Sequence, residues 1–146
     1  MNWSKNFKRF FYFLVIMLAF TGFGQMPIFK RYYLADIPGF GWTADFYFNH
    51  RFHYVLSMIL LLILSFQTGK VLALGKIKKV SFWGWVSILM WIGVVATGII
   101  RVLKNFPHIY FSPTTVVIID WSHLGFVFLL GLAFLLRKLM RKSYFI

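Results

Sequence analysis

The chain of 146 residues is 60% hydrophobic and 13% charged, which leaves too little polar surface to coat a soluble globule of this size, so lipid is the expected solvent. Its 16 Lys+Arg against 3 Asp+Glu would suit nucleic acid in a soluble protein, but the basic residues flank long apolar runs and form no stripe, which argues against nucleic-acid binding. The absence of cysteine excludes disulfides, thiolate-held iron–sulfur clusters, a catalytic thiol and covalent c-type haem attachment, leaving any redox group to other ligands.

Lys5, Lys8 and Arg9 precede a first apolar run, residues 10–26. The pattern resembles a signal peptide, but residues 21–27 offer no small-x-small cleavage site, so a retained helix is expected, with Ser4 as its N-cap. Residues 27–42, rich in Pro, Gly and aromatics, read as an ordered interfacial loop over the helix ends. The second apolar run, 54–66, is short and is lengthened by a start at Thr43 and Asp45. A third run covers 80–100. The fourth covers 116–136 and is opened by Ser112-Pro113, a cap followed by proline at the first helical position. A helix needs about 20 residues to cross the hydrocarbon. The expected fold is therefore all-α, an integral membrane four-helix bundle of one domain over residues 1–146.

Lysine and arginine set its direction. Lys5, Lys8, Arg9, Lys70, Lys76, Lys78, Lys79, Arg137, Lys138, Arg141 and Lys142 fall on one side, and Lys30, Arg31, Arg51, Arg101 and Lys104 on the other. The richer side, which carries the N and C termini, is expected to be cytoplasmic, in an inner (cytoplasmic) membrane.

The two halves echo each other. The first helix ends Phe20-Thr21-Gly22-Phe23 and the third Ala96-Thr97-Gly98-Ile99. The second carries His53 and the fourth His123, each roughly ten residues, or about 15 Å, from the proposed helix start. All four histidines, His50, His53, His108 and His123, fall in the outward half. A histidine within a span costs free energy unless it faces a partner, which singles out His53 and His123; His50 and His108 lie nearer water.

Two neutral imidazoles at equal depth suit the two axial positions of a b-type haem, with iron as the metal. Gly22, Gly24, Gly93, Gly98 and Gly125 would give backbone room for the porphyrin edge, or serve ordinary helix contacts. Arg51, Arg101 and Lys104 would meet the propionates, or merely reach the interface. Asp120, one turn before His123, would orient a ligand ring or face the aqueous boundary. His50 and His108 are the only pair left for a second haem. For a quinone, the outer loop offers Gln25, Lys30, Arg31, Tyr32, Tyr33 and Asp36, which serve equally well as headgroup anchors.

The Thr-Gly near the end of an odd helix, the Arg51-Phe52-His53 opening and a histidine early in the last helix resemble the four-helix cytochrome b subunits of respiratory formate dehydrogenases and nickel-iron hydrogenases. That resemblance implies a membrane subunit carrying electrons by haem b between a quinone pool and a hydrophilic, iron-sulfur-bearing partner of a larger oxidoreductase, with no substrate chemistry of its own. Those cytochromes usually place a histidine on the first helix and two on the last, with haems at opposite depths. This chain has no histidine on its first helix and none in its inner half. Two other readings stand beside it. One is a cofactor-free membrane anchor or assembly subunit, suited to the 22% aromatic content. The other is a small channel, for which Asp120 is the chief acidic candidate and a pair of broken helices is lacking.

Overall fold

Each long helix begins where a small polar side chain can accept the otherwise orphaned N–H groups of a first turn. In a computed structural model that describes residues 3–26 and 33–145, Ser4 accepts from Phe7 N (3.2 Å) and opens α1, Lys5–Gly24. Asp45 Oδ1 accepts from Phe48 N (2.9 Å) and opens α2, Phe46–Ala73. Ser81 accepts from Gly84 N (3.1 Å) and opens α3, Phe82–Leu103. Ser112 accepts from Thr115 N (3.2 Å), with Pro113 next, and opens α4, Pro113–Leu139.

These four helices, of 20, 28, 22 and 27 residues, are long and apolar enough to cross a membrane. Many of their large apolar side chains, among them Phe13, Ile16, Leu62, Phe66, Leu89 and Leu132, are exposed, as suits contact with a lipid bilayer. Among the described residues no strand forms; Val80 and Phe145 make one isolated bridge.

The chain divides into two compact units, residues 1–70 and 71–146. In the first, Thr21 meets His53, Gly24 meets Asn49 and Gln25 meets His50, so α1 and α2 run antiparallel. Leu14 and Leu18 of α1 and Leu56 and Leu60 of α2 are buried, each pair one helical turn apart. The segment joining the helices holds two short 3-10 turns, Leu34–Asp36 and Gly41–Ala44. Its aromatic rings pack over the end of α1, Phe20 lying 6.3 Å from Phe40 and 5.6 Å from Trp42. Thr43 belongs to the second of these turns, where its buried hydroxyl donates to Phe40 O (2.7 Å), and helix α2 starts beyond it. Asn49, fully buried, then ties this end down: its amide Nδ2 donates to the carbonyls of Thr43 and Asp45, both at 2.9 Å, and of Trp42 at 3.2 Å.

In the second unit, Gly93 meets Phe126, Thr97 meets His123 and Arg101 meets Asp120, again an antiparallel hairpin. A Cβ at position 93 would stand 2.5 Å from Phe126 Cδ1, so only glycine lets that ring lie against α3. The far end of this hairpin is closed by the tail. Ser81 N donates to Tyr144 O (2.9 Å) and Ser81 Oγ to Ser143 O (2.6 Å), while the Arg137 guanidinium lies 3.9 Å from the centre of the Tyr144 ring.

Candidate functional site

A threonine in a helix can turn its hydroxyl back onto a carbonyl of the preceding turn. Thr21, fully buried, does this: Oγ1 lies 2.8 Å from Met17 O and 3.2 Å from Leu18 O. The hydroxyl has one proton, and these carbonyls take it. The 2.9 Å contact between Thr21 Oγ1 and His53 Nδ1 is then closed by the imidazole, whose Nδ1–H donates to the threonine oxygen. His53 is thereby held as the Nδ1–H tautomer, with Nε2 as its basic nitrogen.

The second hairpin repeats this arrangement atom for atom. Thr97 Oγ1 donates to Gly93 O (2.6 Å), with Val94 O at 3.1 Å, and accepts from His123 Nδ1 at 3.0 Å. The glycine after Thr97 eases the approach of its ring, whereas a Cβ at Gly22 would make only ordinary van der Waals contact. A Cβ at Gly22 would stand 3.5 Å from His53 Cε1, and one at Gly98 would stand 3.3 Å from His123 Cε1. Both histidines are half-buried. The Thr-Gly pair of each odd helix is therefore the seat of the histidine on the following even helix. Reading the sequence located both halves of this contact without pairing them; the signal was the repetition of Thr-Gly and His in both halves of the chain.

Asp120 does not orient His123. Its carboxylate accepts from Arg101 Nε (2.8 Å) and from Lys104 Nζ (2.9 and 3.0 Å), so it locks α3 to α4 one turn from the histidine, and Thr97 orients the ring. Arg101 and Lys104 are thus partly neutralised; two cations on one carboxylate leave the cluster with one net positive charge. Arg51 is exposed on α2 and lines an open depression of about 360 Å³ with Asp45, Phe48, Phe52 and Val55.

His50 sits between two rings, 5.5 Å from that of Phe46 and 4.3 Å from that of Tyr54, and meets Gln25 Oε1 at 3.1 Å. His108 is exposed in the segment between α3 and α4. The two belong to different units. Of the outer-loop residues considered for a quinone, Tyr33 and Asp36 are exposed, Gln25 is bound to His50, and Lys30, Arg31 and Tyr32 lie outside the described residues. The atoms nearest to a Cβ at Gly24 belong to the Asn49 amide, and those nearest to one at Gly93 to the Phe126 ring. A Cβ at Gly125 would meet nothing within 4 Å.

Within either unit, no three His, Asp or Glu side chains converge among the described residues, so neither hairpin by itself forms a cage for a bare cation. In each unit, taken by itself, one imidazole is oriented through Nδ1 by a threonine of the neighbouring helix. No family model, curated protein or solved structure matches the chain.

Proposed function

We propose that this chain is a haem b electron-transfer subunit of a membrane oxidoreductase, in which His53 and His123 would hold the haem iron. The observation that carries the reading is the duplicated threonine clamp: in each hairpin the imidazole Nδ1–H donates to a threonine oxygen, which makes Nε2 the nitrogen that can bond to iron. Haem ligands and zinc ligands alike are held this way, the second ring nitrogen donating to a fixed oxygen that sets tautomer and orientation.

When bound, haem b supplies a one-electron couple. The chain's own residues do the rest. Thr21 and Thr97 keep the imidazoles from rotating and from protonating at the wrong nitrogen. Gly98 leaves room for the His123 ring against the helix backbone. Arg101 and Lys104, with a surplus positive charge after pairing with Asp120, and Arg51 on the surface of α2 are the donors suited to propionate carboxylates.

On this reading the helices cross an inner membrane four times with both termini cytoplasmic, as the distribution of Lys and Arg requires. Electrons pass between a quinone in the lipid and a hydrophilic iron-sulfur partner, as the resemblance to four-helix cytochrome b subunits implies. A cofactor-free anchor is the competing reading, favoured by the many aromatic side chains exposed along the helices, among them Phe13, Phe66, Phe82 and Trp121.

A dithionite-reduced minus oxidised visible spectrum decides between them, taken on the purified chain and on His53→Ala and His123→Ala. A b-type α-band present in the parent and lost in both variants is expected. A parent without a band in a freshly prepared, partner-containing sample leaves the anchor.

A further inference from the structure

The repeat extends beyond the threonine and histidine. Four residues after Thr21 stands Gln25, and four after Thr97 stands Arg101; three residues before His53 stands His50, and three before His123 stands Asp120. In each hairpin these two residues touch, Gln25 Oε1 to His50 Nδ1 at 3.1 Å and Arg101 Nε to Asp120 Oδ1 at 2.8 Å. The chemistry differs while the side-chain reach does not. In both cases an ε atom of the odd helix meets a δ atom of the even helix, so the two pairs span the gap with side chains of equal reach.

Only the polarity is reversed. Gln25 Nε2 donates to Thr21 O (3.3 Å), which turns Oε1 toward His50, and a carbonyl oxygen only accepts; the donor is therefore His50 Nδ1–H, on the even helix. In the second hairpin the donor is Arg101 Nε–H, on the odd helix.

We infer that the two hairpins are copies of one two-rung clamp, in which Gln25–His50 is the counterpart of Arg101–Asp120, so that His50 is a positioning residue that locks α1 to α2 beside His53 and not a ligand to a second iron. One rung, Thr–His, orients the axial imidazole. The other, one turn nearer the connecting segment, fixes the register of the two helices so that the first rung closes. A helix that slid or rotated by one residue would turn the histidine through about 100° and carry it away from its threonine. The residue opposite Gln25 is then free to be any side chain whose δ atom completes the rung.

The part of this inference that concerns iron rests on the haem reading above; the part that concerns the clamp does not. The test is to transplant the second rung into the first hairpin with Gln25→Arg and His50→Asp together, in the full-length chain, measuring haem per protein, midpoint potential and thermal unfolding by circular dichroism. The expected result is parental haem content and potential in the double variant, against loss of the haem band in His53→Ala. The double variant is also expected to melt higher than the two single variants predict by simple addition, because the new pair is formed only when both are present.

Loss of haem from a double variant that melts like the parent would make His50 a ligand and overturn the inference. Melting that is merely additive would show that the two positions do not form a rung, and would overturn it as well. If the parent carries no haem, the haem reading fails by itself, and the melting comparison still decides whether the clamp is a repeat.

Discussion

In the first hairpin the rung beside the histidine is neutral, Gln25 on His50, and the helix ends are held by a buried Asn49 and a cluster of aromatic rings. In the second, the same position is an ion cluster of Arg101, Lys104 and Asp120, and the opposite end is closed by the tail on Ser81. The histidine geometry is nonetheless the same in both, to within a tenth of an ångström in the Thr–His contact, 2.9 and 3.0 Å. The comparison teaches that the first rung is the constant and the remainder is a means of holding it. A neutral amide–imidazole bond and a charged pair serve equally where only register is required. Constancy of tautomer and ring orientation is what a metal-binding imidazole demands and what simple helix packing does not.

The comparison breaks most sharply if the two histidines are unequal. On the proposed haem reading, replacing either His53 or His123 with alanine is expected to abolish a b-type spectrum, while His108→Ala, at an exposed position, leaves it intact. Retention of the band in one of the two would mean that only one hairpin binds iron. Next in size is the loss of the clamp itself. Thr21→Val and Thr97→Val keep the shape and remove the acceptor, so each is expected to weaken haem binding by roughly 10- to 100-fold, with Thr→Ser restoring it. A titration of apoprotein with haem gives both numbers, and equal losses in a variant and its serine counterpart would count against an orienting role.

Packing effects come third. Gly93→Ala places a Cβ 2.5 Å from the Phe126 ring and is expected to destabilise the second hairpin by about 1–3 kcal/mol, followed by thermal or denaturant unfolding. Gly98→Ala, at 3.3 Å from His123, should cost less, and Gly22→Ala, at 3.5 Å from His53, least. The smallest effects separate the two second rungs. Asp120→Asn is expected to lose about 1 kcal/mol, a loss that shrinks as salt screens the charges. Gln25→Ala should lose about as much, roughly 0.5–1.5 kcal/mol, and stay constant with salt. Melting curves at low and high ionic strength measure the difference, and a salt-dependent Gln25→Ala would contradict a neutral rung.

Much of this was legible in the chain of residues. Ser4 and Ser112-Pro113 mark two helix starts because a cap and an N1 proline act within a few residues of themselves. The four apolar runs mark the helices long and apolar enough to cross a membrane, because that property depends on composition over one segment. Thr-Gly and His stood out by repetition alone. Less legible was which residue each histidine touches. The contacts join residues 32 positions apart in the first hairpin and 26 in the second, because the connecting segments differ in length, so no fixed spacing in the sequence reveals them. For the same reason the sequence leaves Asp120, one turn from His123 on its own helix, open between orienting a ring and facing the aqueous boundary, whereas the structure pairs it with Arg101 and Lys104 across the hairpin.

The amino-acid sequence by itself determined that the chain is helical, that four of its segments are long and apolar enough for a bilayer, and that each half carries a threonine, a glycine and a histidine in the same order. Those properties follow from local chemistry: composition, capping and periodicity. Only the tertiary structure decided that each threonine seats a histidine, that the seat fixes the tautomer, and that Gln25–His50 and Arg101–Asp120 occupy one position in two copies of the same hairpin. These depend on the register of two helices, which is set by side chains meeting across the gap and not by any residue's neighbours along the chain.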